Sequence, residues 1–262
     1  MFDVVKELSL IGLVPVIRID DPEQAVPLAK ALCEGGLPCA EITFRTAQAA
    51  EAISRISKAV PEMIVGAGTV LTTAQVDAAV AAGSQFIVSP GLNPNIVSYC
   101  LERNIPVVPG TATPSDMEKA LELGLDTVKF FPAEPNGGVK AIKAMAAPYT
   151  SLSFMPTGGI NASNLGDYLA FPRIICCGGS WMVPDSLLKA GDFEGIRKLT
   201  EQAVLAMLDL KLDPTGEALS ITTRNVPRAV RYLKTKGWQF EETDNSKEVK
   251  VLSPLQAVLT AL

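Results

Sequence analysis

From residue 13 to about residue 212, short apolar runs alternate with stretches of helical periodicity at a spacing of roughly 20 to 25 residues. The apolar runs predict eight strands: Leu13 to Ile19, Ala40 to Phe44, Ile64 to Thr69, Phe86 to Pro90, Val107 to Gly110, Thr127 to Pro132, Ser153 to Gly158 and Ile174 to Gly178. Between them lie segments such as Ala47 to Ala59, Thr73 to Ala82 and Pro114 to Leu123. These are rich in Ala, Glu and Leu and open near Thr, Ser or Pro, as helices do. A short helix over Phe2 to Leu10 precedes the first strand. Repeated βα units of this kind predict an α/β protein, a (β/α)8 TIM barrel occupying residues 1–212.

The bodies of these strands are apolar, but their C-terminal ends are polar or glycine-rich. In a barrel those ends and the loops after them build the active site. They read Glu41-Ile-Thr-Phe-Arg-Thr, Gly66-Ala-Gly-Thr, Ser89-Pro-Gly, Pro109-Gly-Thr, Lys129-Phe-Phe-Pro, Pro156-Thr-Gly-Gly and Cys177-Gly-Gly-Ser. Alternate strand residues share a face. Glu41, Thr43 and Arg45 therefore point one way, Val65, Ala67 and Thr69 share a face, and Lys129 goes with Thr127 and Phe131. One interior pocket holding Glu41, Arg45, Thr69 and Lys129 is expected. The alternative is a structural ion-pair network filling the barrel mouth.

Lys129 carries the sharpest chemical signal. It lies within Thr-Val-Lys-Phe-Phe-Pro, residues 127–132, where desolvation favours a neutral amine over an ammonium. A neutral amine attacks carbonyls, so this position suggests Schiff-base chemistry. The competing explanation is a side chain that reaches water beyond the strand end. Two glycine pairs, Gly158-Gly159 and Gly178-Gly179, follow the last two strands. Barrels often bind phosphate there through backbone N–H groups, and Ser180 would add a hydroxyl.

Composition removes several classes of function. With 262 residues, 48% hydrophobic content and a mean hydropathy of +0.26, the chain can bury a large core. A net charge of −5 and a pI near 5.0 give no electrostatic reason to expect nucleic acid or an anionic membrane as partner. No run of about 18 apolar residues is present, and the N-terminus lacks a basic segment followed by an apolar one, which points to the cytosol. The absence of histidine excludes Ser-His-Asp and Cys-His nucleophile systems and leaves proton transfer to carboxylates, lysine, tyrosine or water. Five cysteines without paired CxxC spacing read as reduced, mostly buried thiols, and no metal site is expected.

Beyond Leu212 the pattern changes. Asp213-Pro-Thr-Gly marks a break and opens a second unit, a small α/β extension over residues 213–262. It predicts a strand at Ala218 to Thr222, a helix at Val226 to Lys236 ending at Gly237, a strand at Glu248 to Leu252 and an apolar terminal helix from Pro254. Part of it looks like a glyoxalase-type βαβ module, although without histidine it has none of the usual metal ligands. A packing or oligomer-stabilising role is expected.

The motifs Glu41-Ile-Thr-Phe-Arg-Thr, Val65-Gly-Ala-Gly-Thr-Val-Leu, Ile87-Val-Ser-Pro-Gly, Lys129-Phe-Phe-Pro-Ala-Glu-Pro-Asn-Gly-Gly-Val-Lys, Pro156-Thr-Gly-Gly-Ile and Gly178-Gly-Ser-Trp closely resemble the 2-keto-3-deoxy-6-phosphogluconate aldolases. Many of those enzymes also cleave 4-hydroxy-2-oxoglutarate. The resemblance spans about residues 1–212, in family order. It implies a metal-independent class I aldolase without cofactor, a homotrimer acting on a 2-keto acid phosphate. It makes Lys129 the Schiff-base lysine and Glu41 the acid–base carboxylate. Arg45 and Thr69 match residues that hold the pyruvyl carboxylate, and Thr157 a substrate contact. Gly158, Gly159, Gly179 and Ser180 match the phosphate region, with Pro90 and Phe131 completing the substrate-binding set. The alternatives are an aldolase for the galactonate epimer and a non-catalytic phosphate-binding sensor.

Overall fold

The computed structural model describes residues 3–213, 220–241, 247–253 and 257–261. Its parallel strands are β1 (Leu13–Ile17), β2 (Cys39–Thr43), β3 (Ile64–Gly68), β4 (Ile87–Val88), β5 (Val107–Val108), β6 (Gly110–Thr111), β7 (Thr127–Phe130), β8 (Ser153–Pro156) and β9 (Cys177–Gly179). One sheet runs β5-β4-β3-β2-β1-β9 and another β6-β7-β8. Isolated parallel bridges Phe154↔Ile174 and Thr157↔Gly178 link the β8 segment to the chain around β9. The sheets curl in a TIM-barrel-like α/β arrangement.

Each of these strands overlaps one of the predicted runs with its ends shifted: β2 starts one residue early at Cys39, and β6 and β9 run one residue past the predicted ends, to Thr111 and Gly179. The run Val107 to Gly110 is split at Pro109, which has no N–H to give a ladder and separates β5 from β6. Pro109 still contributes its carbonyl, which accepts from the Lys129 N–H at 2.9 Å. β2, β3 and β7 are buried along their whole length, as expected of parallel strands covered on both faces. Helices such as Ala49–Ala59 and Pro114–Glu122 pack outside them. The latter opens with a capping box in which Thr113 and Asp116 satisfy each other's backbone N–H groups.

The C-terminal segment forms a five-stranded sheet with β10 (Lys211–Asp213), β11 (Ser220–Thr223), β12 (Gln239–Phe240), β13 (Glu248–Ser253) and β14 (Ala257–Ala261), in the order β10-β11-β14-β13-β12. The sheet thus begins two residues before Asp213. The expected terminal helix is instead a strand: β14 pairs with β11 on one side and β13 on the other, and these ladders outweigh the helical look of a short apolar run. Pro254, where that helix was placed, lies outside the described residues, as does Ala218.

The helix Val226–Thr235 buries Val226, Ala229, Tyr232 and Leu233, and Asn225 caps it by accepting the Arg228 N–H. From this helix the guanidinium of Arg228 enters the floor of the parallel sheet. Nε donates to the Ser9 carbonyl at 2.9 Å and Nη2 to that of Ile175. Gly12 leaves the space, since a Cβ there would sit 2.7 Å from Arg228 Nε. Burial pulls the arginine below its usual pKa. Arg231 with Glu7 and Lys236 with Glu201 add ion pairs across the same junction. Among the described residues no helix is long and apolar enough to cross a membrane.

Candidate active site

A cavity of about 330 Å³ opens at the C-terminal ends of the parallel strands. Its lining brings together Glu41, Arg45, Thr69, Pro90, Lys129, Phe131, Thr157, Gly158, Gly159, Gly179 and Ser180, while Gly178 of the second glycine pair stays outside it. Val16 and Ile160 also line it. Both are apolar and carry no chemical signal in the sequence. Val16 is detectable only through register, because it stands opposite Glu41 in the β1–β2 pair.

At the base of the cavity Lys129 Nζ lies 3.2 Å from Glu41 Oε1 and 3.4 Å from Oε2. Lys129 is 4% exposed and Glu41 1% exposed, so the pair is shielded from bulk water. The Phe131 ring lies 5.2 Å from the ammonium, measured to its centroid. Among the described residues Glu41 is the only carboxylate in salt-bridge range of Lys129. Two buried charges are tolerable here because they face each other.

Glycines create the room for this pair. Gly66 stands opposite Glu41 in the β2–β3 register and Gly68 opposite Thr43. A Cβ on Gly66 would collide with the Phe86 ring, and one on Gly68 with the Glu41 carboxylate. The inner face of β3 is therefore Gly66 and Gly68, and strand alternation assigns Val65 and Ala67 to the other face. Thr69 does not follow them, contrary to the simple alternation. Its φ of 56° breaks the strand geometry just past β3 and returns the side chain to the cavity. Positive φ is a genuine outlier for a β-branched residue and marks local strain at the site.

Arg45 follows the end of β2, exposed at the cavity mouth and without a carboxylate partner among the described residues. A free guanidinium there is available to an anion. Thr157 Oγ1 is buried and has no hydrogen-bond partner among the described residues. The absent side chain of Gly178 leaves it space. A buried hydroxyl left unpaired is unfavourable until a ligand satisfies it. Gly158 and Gly159 have φ of 103° and 82°, which only glycine adopts freely, and Gly179 and Ser180 lie alongside.

None of the five cysteines lines this cavity. Burial pushes the Cys176 thiol up to about 12, and Cys177 and Cys39 well above the usual range. Among the described residues no group of three or more His, Cys, Asp or Glu is placed to hold a metal ion.

The family profile "KDPG and KHG aldolase" matches residues 4–199. The chain belongs to this aldolase family. It is 48% identical over 204 residues to the 2-dehydro-3-deoxy-phosphogluconate aldolase of Treponema pallidum, covering 78% of this chain and 97% of that protein. Among solved structures, it resembles the 2-keto-3-deoxy-6-phosphogluconate aldolase of Zymomonas mobilis with 3-phosphoglycerate (TM-score 0.71, 42% identity, 76% and 94% coverage). It also resembles the Legionella pneumophila enzyme with pyruvate captured as a covalent carbinolamine (TM-score 0.74, 36% identity, 77% and 98% coverage). The match to the family profile stops at residue 199, before the C-terminal sheet begins at Lys211.

Proposed function

We propose that this aldolase cleaves 2-keto-3-deoxy-6-phosphogluconate to pyruvate and glyceraldehyde 3-phosphate through a Schiff base on Lys129. It also cleaves 4-hydroxy-2-oxoglutarate to pyruvate and glyoxylate. The observation that carries this is the isolated Lys129–Glu41 pair in a cavity whose rim holds a free arginine and paired glycine turns.

In the cleavage direction Lys129, once it has given up a proton, attacks the C2 ketone to form a carbinolamine. Loss of water yields an iminium, whose nitrogen accepts the electron pair released when the C3–C4 bond breaks. Glu41, within hydrogen-bond reach of Nζ, carries protons during dehydration and removes the C4 hydroxyl proton. The remaining enamine takes a proton at C3, and hydrolysis frees pyruvate. Arg45 and Thr69 hold the pyruvyl carboxylate, Thr157 Oγ1 meets a substrate oxygen, and Pro90 and Phe131 wall the carbon chain. The phosphate lies against Gly158, Gly159, Gly179 and Ser180.

The split strand β5/β6 and the bridges beside β8 support closure of the strands into a complete (β/α)8 barrel, with the C-terminal sheet from Lys211 as a small added unit docked on it. We infer a homotrimer in the cytosol from the family resemblance, with light scattering as its check. The functional test is kcat/KM for the phosphogluconate, its galactonate epimer and 4-hydroxy-2-oxoglutarate. The phosphogluconate is expected to rank first, with activity unaffected by prolonged EDTA treatment. Preference for the galactonate epimer would reassign the substrate.

A further inference from the structure

We propose that Asn164 is a positioning residue that sets the preference for phosphorylated substrates by turning the peptide between Gly159 and Ile160 toward the cavity. This rests on the phosphate placement above. Asn164 precedes the helix Leu165–Leu169, where an asparagine ordinarily caps the backbone of its own helix. Here its side chain makes no such cap. It reaches backward instead: Nδ2 donates to the Gly159 carbonyl at 3.1 Å, and Oδ1 accepts the Asn161 N–H at 2.9 Å. Asn161 Nδ2 adds a longer bond to the same Gly159 carbonyl, 3.4 Å.

Peptide planarity turns these contacts into an orientation. In a trans peptide the N–H points opposite to the C=O. The Gly159 carbonyl faces the two asparagines, so the Ile160 N–H faces the other way. The Gly158 carbonyl accepts from the Glu134 N–H at 3.0 Å, which turns the Gly159 N–H away from Glu134 in the same manner. Gly159 and Ile160 both line the cavity, while Asn161 and Asn164 do not. Glycines at φ of 103° and 82° have little intrinsic preference for this shape, so the clamp must come from outside the turn. Glu134 braces the far side. Its side chain packs against Gly159, and its carboxylate accepts from the buried Tyr168 hydroxyl.

The test is Asn164→Ala, with Asn161→Ala as a milder second variant, each checked for fold by circular dichroism. Inorganic phosphate serves as a competitive probe beside the two substrates. In Asn164→Ala, KM for the phosphogluconate and Ki for phosphate should rise about tenfold, the equivalent of one lost hydrogen bond. Its kcat/KM on 4-hydroxy-2-oxoglutarate and its borohydride trapping of pyruvate should stay within about twofold of wild type. Asn161→Ala should shift the same quantities less. Equal losses on both substrates, or an unchanged Ki in both variants, would overturn the proposal. A wild-type chain that neither responds to phosphate nor prefers the phosphorylated substrate would instead overturn the phosphate placement itself.

Discussion

Gly68 and Glu41 share one volume: the glutamate carboxylate occupies the space in which a side chain on Gly68 would have to begin. Glu41 is 1% exposed and bonded to Lys129, so it can make way only into the cavity it lines and at the cost of its contact with the amine. Gly68→Ala should push the carboxylate off the amine and lower kcat/KM by about 100-fold, the low end for a misplaced acid–base group. Steady-state kinetics with a circular dichroism control measures this. Near-normal turnover would mean that the acid–base group is not held by this packing.

Glu41→Gln keeps the shape but removes proton transfer. Cleavage should fall roughly 100-fold or more, while pyruvate still forms a reducible imine at a slower rate. Single-turnover trapping beside steady-state turnover separates the two effects. Full cleavage activity in this variant would pass the role to another group or to water.

Much of this site is legible in the sequence, and the reason is periodicity. Glu41 and Lys129 are separated by 88 residues, yet each stands in an apolar run whose alternation points it inward. The glycine pairs stood out because few other residues tolerate the backbone they require. Thr69 escapes the alternation: its place in the cavity depends on a φ of 56° that the sequence pattern does not carry. β14 shows another limit, since a five-residue apolar run becomes a strand only because β11 and β13 lie on either side to pair with it. Arg228 had no signal at all. Its burial depends on Gly12, more than two hundred residues earlier in the chain.

Removing the Arg228 guanidinium leaves the Ser9 and Ile175 carbonyls without their donor at the junction with the C-terminal sheet. Arg228→Ala should therefore lower stability by about 2–3 kcal/mol. That corresponds to a fall in Tm of roughly 5 to 10 °C for a single transition. Pyruvate trapping should persist, because the contacts lie at the opposite end of the strands from Lys129. A variant that stays folded but no longer traps pyruvate would tie the extension to the chemistry.

The cysteines should be inert in the native protein. Burial holds Cys33 and Cys176 at about 12 and Cys100 at about 11, with Cys39 and Cys177 higher still. Raised values mean that the reactive thiolate is scarce at pH 8. Iodoacetamide should label the native chain slowly and all five positions after denaturation, as read by mass spectrometry. Rapid native labelling would show that a thiol is more open than its packing implies.

The most direct measurement is borohydride reduction in the presence of pyruvate, followed by peptide mapping. The adduct should fall on the peptide containing Lys129 and vanish in Lys129→Ala, since Lys140 and Lys143 sit on the outer helix Gly138–Ala146 rather than in the cavity. An adduct on another lysine, or none in a folded wild-type chain, would contradict Schiff-base chemistry at Lys129.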